Sequence, residues 1–463
     1  MNINDLILST KGKLIGEINL DEKYKQIKTS SLDIQKGDVF VALIGNTDGH
    51  KYIQSAIDNG AKILIVSKKV ESSIPYILVK DTTLALGDIA HYMVKKYNPR
   101  VIALTGSVGK TTTRNILLNL LSNKYKVLAN EKNFNNHIGV PLTVFNLKED
   151  TEILLSELGM NHLKEISYLS KMINPETAII TNIGSSHIGN LGGKEGILKA
   201  KLEILDGMDK KVLFVNGDDE LLKGVKNTIK SGFNDYNDLV GYDLKSNLYS
   251  SSFKIKYNNK EYKIEVPLPE HLLIDVLLSI NVALYYGVDI NDIIKSLKEY
   301  KSFDMRMNIL KDKNNNTIIN DCYNSSFESL TGVLKALQDE TQDKLLILGS
   351  IMELGDFSKE IHKSLKPYID KITNKKVILV GEEIKALKTD ALYFDNYEDV
   401  IKYLEKEKIK DTLILIKGSR GMKLENVTNY FMEKWQFDSC HFYILFIIIH
   451  CFNLVSMESL CIS

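Results

Sequence analysis

The sequence predicts an α/β protein of several domains, and three observations predict it. At 463 residues the chain is too long for one ordinary hydrophobic core, so two to four domains are expected. Short apolar runs recur along it, each closed by a small or polar residue and followed by helical apolar spacing. Buried strands alternating with helices make parallel sheets covered on both faces. Hydrophobic residues are 44% and charged residues 25%, the balance of a soluble globular chain.

Taken in order, the elements fall into three groups. Residues 1–83 form a small α/β domain with strands in "DVFVALIG", "AKILIVS" and "PYILVK". Between the first two lies a helix marked by Tyr52, Ile53 and Ile57 and ended by Gly60. Residues 84–305 form a central domain with a mostly parallel sheet, its strands in "RVIALTG", "EILLSELG", "ETAIITNIG" and "KVLFVNGDD". Residues 306–435 form a Rossmann-like C-terminal α/β domain with strands in "NTIINDCYN", "DKLLILGS", "KKVILVG" and "DTLILIKGSRG". Residues 436–463 are an apolar tail. Its run "FYILFIIIHCFNLV" is shorter than the about 20 residues a spanning helix needs, so no stable membrane insertion is expected.

Charge and cysteine usage exclude some classes. Lys+Arg and Asp+Glu are both 59, which argues against a nucleic-acid or anionic-membrane partner. Of the four cysteines, Cys440, Cys451 and Cys461 crowd the tail and only Cys322 lies in the body. None has zinc or disulfide-framework spacing, and with no secretory signal at the start the cytoplasm is expected.

Ligands collect beyond the carboxyl ends of strands in such sheets, so the residues that close the runs carry the chemistry. "TGSVGKTTT" follows an apolar strand and precedes a helix whose Ile116, Leu117, Leu120 and Leu121 share a face. The common phosphate loop, G-x-x-x-x-G-K-[ST], would need glycine at Leu104; here the spacing is the shorter Gly106, Gly109-Lys110-Thr111. Gly106 and Gly109 let backbone N–H groups turn toward an anion at the helix N-terminus. Lys110 would reach the terminal phosphates and Thr111 would ligate Mg²⁺. The competing reading is a glycine turn before an ordinary helix.

Glu157 closes its strand as an acidic residue suited to Mg²⁺, although a lone strand-end glutamate is more often solvated. His187 closes "AIITNIGSSH", where a lone histidine is usually a surface or satisfied core residue, and Lys201 lies in a helical stretch where lysine is usually solvated. Asn135 and Asn136 read equally as phosphate or substrate contacts or as an Asn-rich turn. Lys417 and Arg420 of "KGSRG" read as an anion site or a charged turn.

Together these residues resemble the Mur ligases, ATP-dependent enzymes that extend the peptide of the peptidoglycan precursor, over roughly residues 25 to 430. The short T-G-[ST]-x-G-K-T loop stands here as Thr105 to Thr111. "NNHIGVPLT", "ELGMNH", "TNIGSSHI", "KAKLEI", "NDCYN", "IMELG" and "KGSRGMKLE" follow in the family's order. The best fit is the member that joins D-alanyl-D-alanine to UDP-N-acetylmuramoyl-tripeptide.

The resemblance implies a P-loop-type ATPase central domain, ATP as co-substrate and two Mg²⁺ ions. It implies that Gly106, Ser107, Val108, Gly109, Lys110, Thr111, Thr112 and Asn136 hold the nucleotide phosphates. Thr111 and Glu157 would serve one ion, and His187 with a carbamylated Lys201 the other. Arg306, Asp321, Tyr323 and Asn324 would meet the nucleotide, and Ser31, Asp48, Gly49 and His50 the UDP-sugar. The expected protein is a cytoplasmic monomer acting on small molecules.

The pattern departs at Leu32, at Leu272 and Asp275 of "HLLID", at Ser325, Ser326 and Phe327, and at Ser350. These departures bear on nucleotide and UDP-substrate affinity. They leave open a nucleotide-binding regulatory protein with weakened catalysis, or a phosphoryl-transfer NTPase. The neighbouring ligase that adds the third residue is a closer alternative, but its D-x-P-R motif is not apparent. Folylpolyglutamate synthases share the architecture without the "DGH" domain.

Overall fold

The computed structural model describes residues 1–131, 133–301 and 305–432. The apolar tail and its three cysteines lie outside the described residues. Three sheets of five, nine and six strands carry the fold.

The first sheet holds β1 (Lys13–Ile15), β2 (Ile27–Lys28), β3 (Val39–Val41), β4 (Ile63–Val66) and β5 (Tyr76–Leu78), in the order β1-β5-β4-β3-β2. All neighbours are parallel except β1 and β5. Every residue of β3 and β4 is buried, which is why these runs are apolar without alternation. The helix Ile53–Asp58 buries Ile53 and Ala56 in a core with Phe40 and Leu64. The strand expected to run to Gly45 stops at Val41, because Gly49 N–H donates to Leu43 O at 2.7 Å and folds the loop back.

The second sheet holds β6 (Arg100–Thr105), β7 (Val127–Ala129), β8 (Ile153–Glu157), β9 (Thr177–Ile180), β10 (Val212–Asn216), β11 (Thr228–Gly232), β12 (Leu239–Ser246), β13 (Ser251–Tyr257) and β14 (Lys260–Val266). Its order is β14-β13-β12-β11-β10-β9-β6-β8-β7. β6 lies between β9 and β8, with Leu104 opposite Glu157 and Thr105 opposite Ile180. Three carboxyl ends therefore finish side by side. Pairing is parallel from β7 to β12 and antiparallel through β13 and β14.

That antiparallel ribbon is absent from the sequence-based expectation, although its signals are local. β13 alternates buried and less buried residues, and Asn258 and Asn259 both take positive φ, 49° and 62°. Two such residues form the mirror-image turn that matches strand twist in a two-residue hairpin.

The third sheet holds β15 (Asn308–Lys311), β16 (Thr317–Asn320), β17 (Lys344–Gly349), β18 (Lys375–Val380), β19 (Leu392–Phe394) and β20 (Leu413–Lys417), in the order β15-β16-β20-β17-β18-β19. Only β15 and β16 pair antiparallel. Ile318, Ile347, Ile378, Ile414 and Val427 fill one core of this sheet.

The described chain gathers into two compact units. One comprises Met1–Ser246, Ser250–Pro267 and Leu272–Tyr300; the other comprises Asn247–Tyr249, Leu268–His271 and the chain from Lys301. The first two sheets thus share a unit, in which the buried Asp5 carboxylate accepts from Tyr92 Oη and Lys96 Nζ, both at 2.7 Å. Among the described residues no helix is long and apolar enough to cross a membrane.

Candidate active site

The chain leaves β6 through Gly106 and enters the helix Lys110–Leu121 through Gly109, at φ +82°. Both glycines are required by close approach as well. A Cβ on Gly106 would fall 1.8 Å from Thr181 Oγ1, and one on Gly109 would fall 2.2 Å from the Asp275 carboxylate. The loop is braced from β9: Asn182 Oδ1 accepts from Ser107 N at 3.1 Å and Val108 N at 2.9 Å, while Thr181 Oγ1 donates to Val108 O at 2.5 Å. Lys110 Nζ donates to Gly106 O at 2.7 Å and Ser107 O at 3.3 Å, so its ammonium lies over the loop. Thr112 follows, half-buried, in the first helical turn.

Glu157 is 2% exposed at the end of β8 and is held on every side. Thr111 Oγ1 donates to its Oε2 at 2.9 Å and Asn135 Nδ2 to its Oε1 at 2.9 Å. Asn130 exchanges two hydrogen bonds with the Glu157 backbone, at 2.9 and 3.0 Å. The buried Arg114 guanidinium sits 3.6 Å from Oε2. Thr111 and Glu157, paired in the sequence by analogy alone, are in direct contact. Arg114, Asn130 and Asn182, which sequence reasoning does not single out, also stand here, and Asp275, named there only as a departure, lies against Gly109. Arg114 had a signal in its place, one helical turn after Lys110 on a strand-facing helix.

Lys201 departs from the solvated lysine that local sequence suggests. It lies in the helix Lys194–Leu202, 2% exposed. Burial, and then the charge of Lys110, hold its ammonium well below the ordinary lysine range. His187 does not close β9, which ends at Ile180; it stands seven residues on, at φ +62°, as the N-cap of the helix Ile188–Leu191. Asn136 is exposed, and its Oδ1 accepts from Ile138 N at 3.1 Å and Gly139 N at 2.9 Å, closing the turn that leads into the helix Gly139–Val144. It also borders a cleft of about 320 Å³ lined by Leu84, Gly159, Leu163, Lys164 and Tyr168.

A second set of predicted site residues meets at the carboxyl edge of the third sheet. Lys417, 1% exposed at the end of β20, donates to Asp321 Oδ2 at 2.5 Å and to Asn324 O at 3.3 Å. Asp321 Oδ1 accepts from Met307 N at 3.2 Å, and the Arg306 guanidinium stacks 4.2 Å from the Tyr323 ring centre. "KGSRG" is therefore no simple charged turn: Lys417 is buried in an ion pair, while Arg420 pairs with Glu425 at 2.9 Å. Ser350, a departure from the expected aspartate, is buried and accepts from Ile384 N at 3.2 Å.

In the first sheet's loops, Asp48 Oδ1 accepts from His50 N at 3.0 Å and lies 2.6 Å from His50 Nδ1, while Lys68 donates to its Oδ2 at 2.7 Å. These partners, Lys68 first, hold the Asp48 carboxyl well below the usual range. His50 Nε2 accepts from Ser67 N at 3.0 Å, and Gly49 sits between Asp48 and His50 in the short helix Gly49–Tyr52. Ser31 is buried and its carbonyl accepts from Asn59 Nδ2 at 2.9 Å. Leu32 beside it is 84% exposed, an apolar side chain offered to solvent next to a predicted substrate residue.

Among the described residues no group of three or more His, Cys, Asp or Glu is arranged to hold a metal ion. The Thr111 hydroxyl and Glu157 carboxylate are the oxygen pair a hard cation takes.

Three family models match: the Mur ligase family catalytic domain over residues 23–125, the Mur ligase middle domain over 104–283, and the Mur ligase glutamate ligase domain over 305–420. The chain is 33% identical over 425 residues to UDP-N-acetylmuramoyl-tripeptide–D-alanyl-D-alanine ligase of Bacillus subtilis (strain 168), covering 88% of this chain and 93% of that one. Among solved structures, MurF from Acinetobacter baumannii superposes with a TM-score of 0.86 at 28% identity, over 93% of this chain and 98% of that one. MurF ligase from Thermotoga maritima, solved in complex with ADP, gives 0.80 at 28% identity, over 89% and 98%. The ordered motifs, the three sheets and the braced short phosphate loop agree with these matches: the chain belongs to the Mur ligase family.

Proposed function

We propose that this protein is the ATP-dependent ligase that joins D-alanyl-D-alanine to UDP-N-acetylmuramoyl-tripeptide in peptidoglycan precursor synthesis. The observation that carries the reading is the contact of Thr111 with Glu157 beside Lys110 and the buried Lys201. The relatives with this name match nearly end to end, and one was solved with ADP.

The tripeptide's terminal carboxylate oxygen attacks the γ-phosphorus of ATP and ADP departs, leaving an acyl phosphate. The dipeptide amine attacks the acyl carbon, loses a proton, and phosphate leaves. A free carboxylate lacks a leaving group; phosphorylation supplies one. Lys110 neutralises charge on the transferring phosphoryl from its place over the loop, and the first turn of its helix presents N–H donors to the phosphates. Thr111 and Glu157 would hold one Mg²⁺, which when bound shields the phosphate oxygens from the incoming carboxylate. His187 and Lys201 would hold a second.

Lysine nitrogen is a poor Mg²⁺ ligand, but burial disfavours the charged form of Lys201, and a neutral amine is the form that adds CO₂. The Nζ–C bond forms, one proton is lost, and an anionic carbamate oxygen results. The cleft beside Asn136, rimmed by the exposed Leu84 and Leu163, suits the acceptor peptide.

We assign residues 1–83 to the UDP-sugar through Ser31, Asp48, Gly49 and His50, and residues 84–305 to ATP chemistry. Residues 306–435 meet the nucleotide through Arg306, Asp321, Tyr323 and Asn324. We assign the reaction to the cytoplasm, where ATP and UDP-linked precursors are found, and to a monomer.

Phosphate release tests the reading. It should require both UDP-tripeptide and D-alanyl-D-alanine, and Lys110→Ala should lower it about 10³-fold. Release that needs neither substrate would make the protein an NTPase instead.

A further inference from the structure

The buried guanidinium of Arg114 has no role in the reaction as described above. It is 5% exposed, on the helix that begins with Lys110, and its Nη1 lies 3.6 Å from Glu157 Oε2. Its other edge is fixed: Nε and Nη2 both point to Asn115 Oδ1, at 3.2 and 2.9 Å. A guanidinium cannot lose its proton in a protein, so this is a permanent charge in a set orientation.

The distance is informative. At 3.6 Å the guanidinium is an ion-pair partner beyond hydrogen-bond range, so it attracts the carboxylate without occupying a lone pair. Both Glu157 oxygens instead receive neutral donors, Thr111 Oγ1 and Asn135 Nδ2, each at 2.9 Å. A neutral hydroxyl or amide yields its place to a cation more readily than an arginine fork would.

We infer that Arg114, oriented by Asn115, is a positioning residue that holds the buried Glu157 carboxylate aimed at Thr111, ready for a divalent cation. The inference rests on Glu157 being a metal ligand, and the test separates the two. Mn²⁺ binding in the presence of ADP, followed by the loss of the free-ion electron paramagnetic resonance signal, reads the site without turnover.

Glu157→Gln should weaken Mn²⁺ binding at least tenfold; if it does not, the ligand assignment itself fails. With that established, Arg114→Ala should weaken Mn²⁺ about tenfold and raise the Mg²⁺ concentration needed for half-maximal ligation by a similar factor. Arg114→Lys should recover part of the loss, since it restores charge without the fork. Asn115→Ala, which leaves the charge and frees its orientation, should show a smaller shift in the same direction and carries the test if Arg114→Ala does not fold. Unchanged or tighter Mn²⁺ binding in the arginine variants, or in Asn115→Ala where those do not fold, would overturn the inference.

Discussion

Two of the buried lysines, Lys201 in one compact unit and Lys417 in the other, are treated in opposite ways. Lys201 and Lys417 are 2% and 1% exposed, and both stand among proposed site residues. Lys417 is paired: Asp321 lies 2.5 Å away and Asn324 O takes a second bond. Lys201 is set instead near another cation, Lys110, and burial disfavours its charge. A buried charge survives when a partner offsets its desolvation, and otherwise the group neutralises. Lys417 is thus tied into an ion pair that joins two loops, whereas burial disfavours the charged form of Lys201. Burial of a lysine does not by itself indicate its task; the neighbours do.

The largest effect should come from Lys201. Lys201→Ala should lower turnover about 10²-fold or more by removing an oxygen ligand's anchor beside the phosphoryl. A short-chain carboxylic acid such as acetate should restore part of it, and removing dissolved CO₂ should depress the wild-type enzyme but not the rescued variant. Turnover near normal in Lys201→Ala, without any acid, would leave the contrast with Lys417 a matter of burial alone.

How far this contrast was readable beforehand differs between the two residues. The strand runs and the short phosphate loop are local patterns, and β6, β8, β9 and β20 lie inside the predicted runs. Thr111 and Glu157 were linked by motif, and the structure brings them into contact. The state of Lys201 was hidden, because desolvation depends on packing around the helix Lys194–Leu202 and on Lys110, distant in sequence. Arg114 carries only a positional signal, one helical turn after Lys110, because its carboxylate partner lies on β8, distant in sequence. The β12–β14 ribbon was overlooked rather than hidden: its alternation and Asn-Asn turn are written in the chain.

A stability comparison sharpens the point. Lys417→Met removes one partner of a buried pair and strands Asp321, so urea unfolding should report a loss of about 3 kcal/mol. In CO₂-free buffer, where Lys201 carries no carbamate, Lys201→Met replaces a buried amine whose charge burial disfavours by an apolar chain of similar length, and should leave stability within about 1 kcal/mol of wild type or raise it. Equal losses in the two variants would mean that Lys201 carries a paired charge after all.

The smallest effect concerns pH and His271, which shares the unit of Lys417. Burial, more than the charge of Lys417, lowers its pKa from 6.5 to about 4, against the opposing pull of Asp321. Its Nδ1 is buried with no hydrogen-bond partner among the described residues, and a Cβ on Gly332 would fall 2.8 Å from its Cγ, so the ring packs close against that helix. A histidine whose folded pKa is depressed binds protons more readily unfolded than folded. Its contribution is therefore complete above about pH 6.5 and is lost as pH falls toward about 4. Unfolding midpoints measured across that window should decline in the wild type and decline less in His271→Gln. If Lys417→Met also removes the pair's cation, Asp321 should pull the His271 pKa upward and the decline should shrink. A slope unaltered by Lys417→Met would mean that the ion pair, unlike the cation beside Lys201, does not set its neighbour's charge.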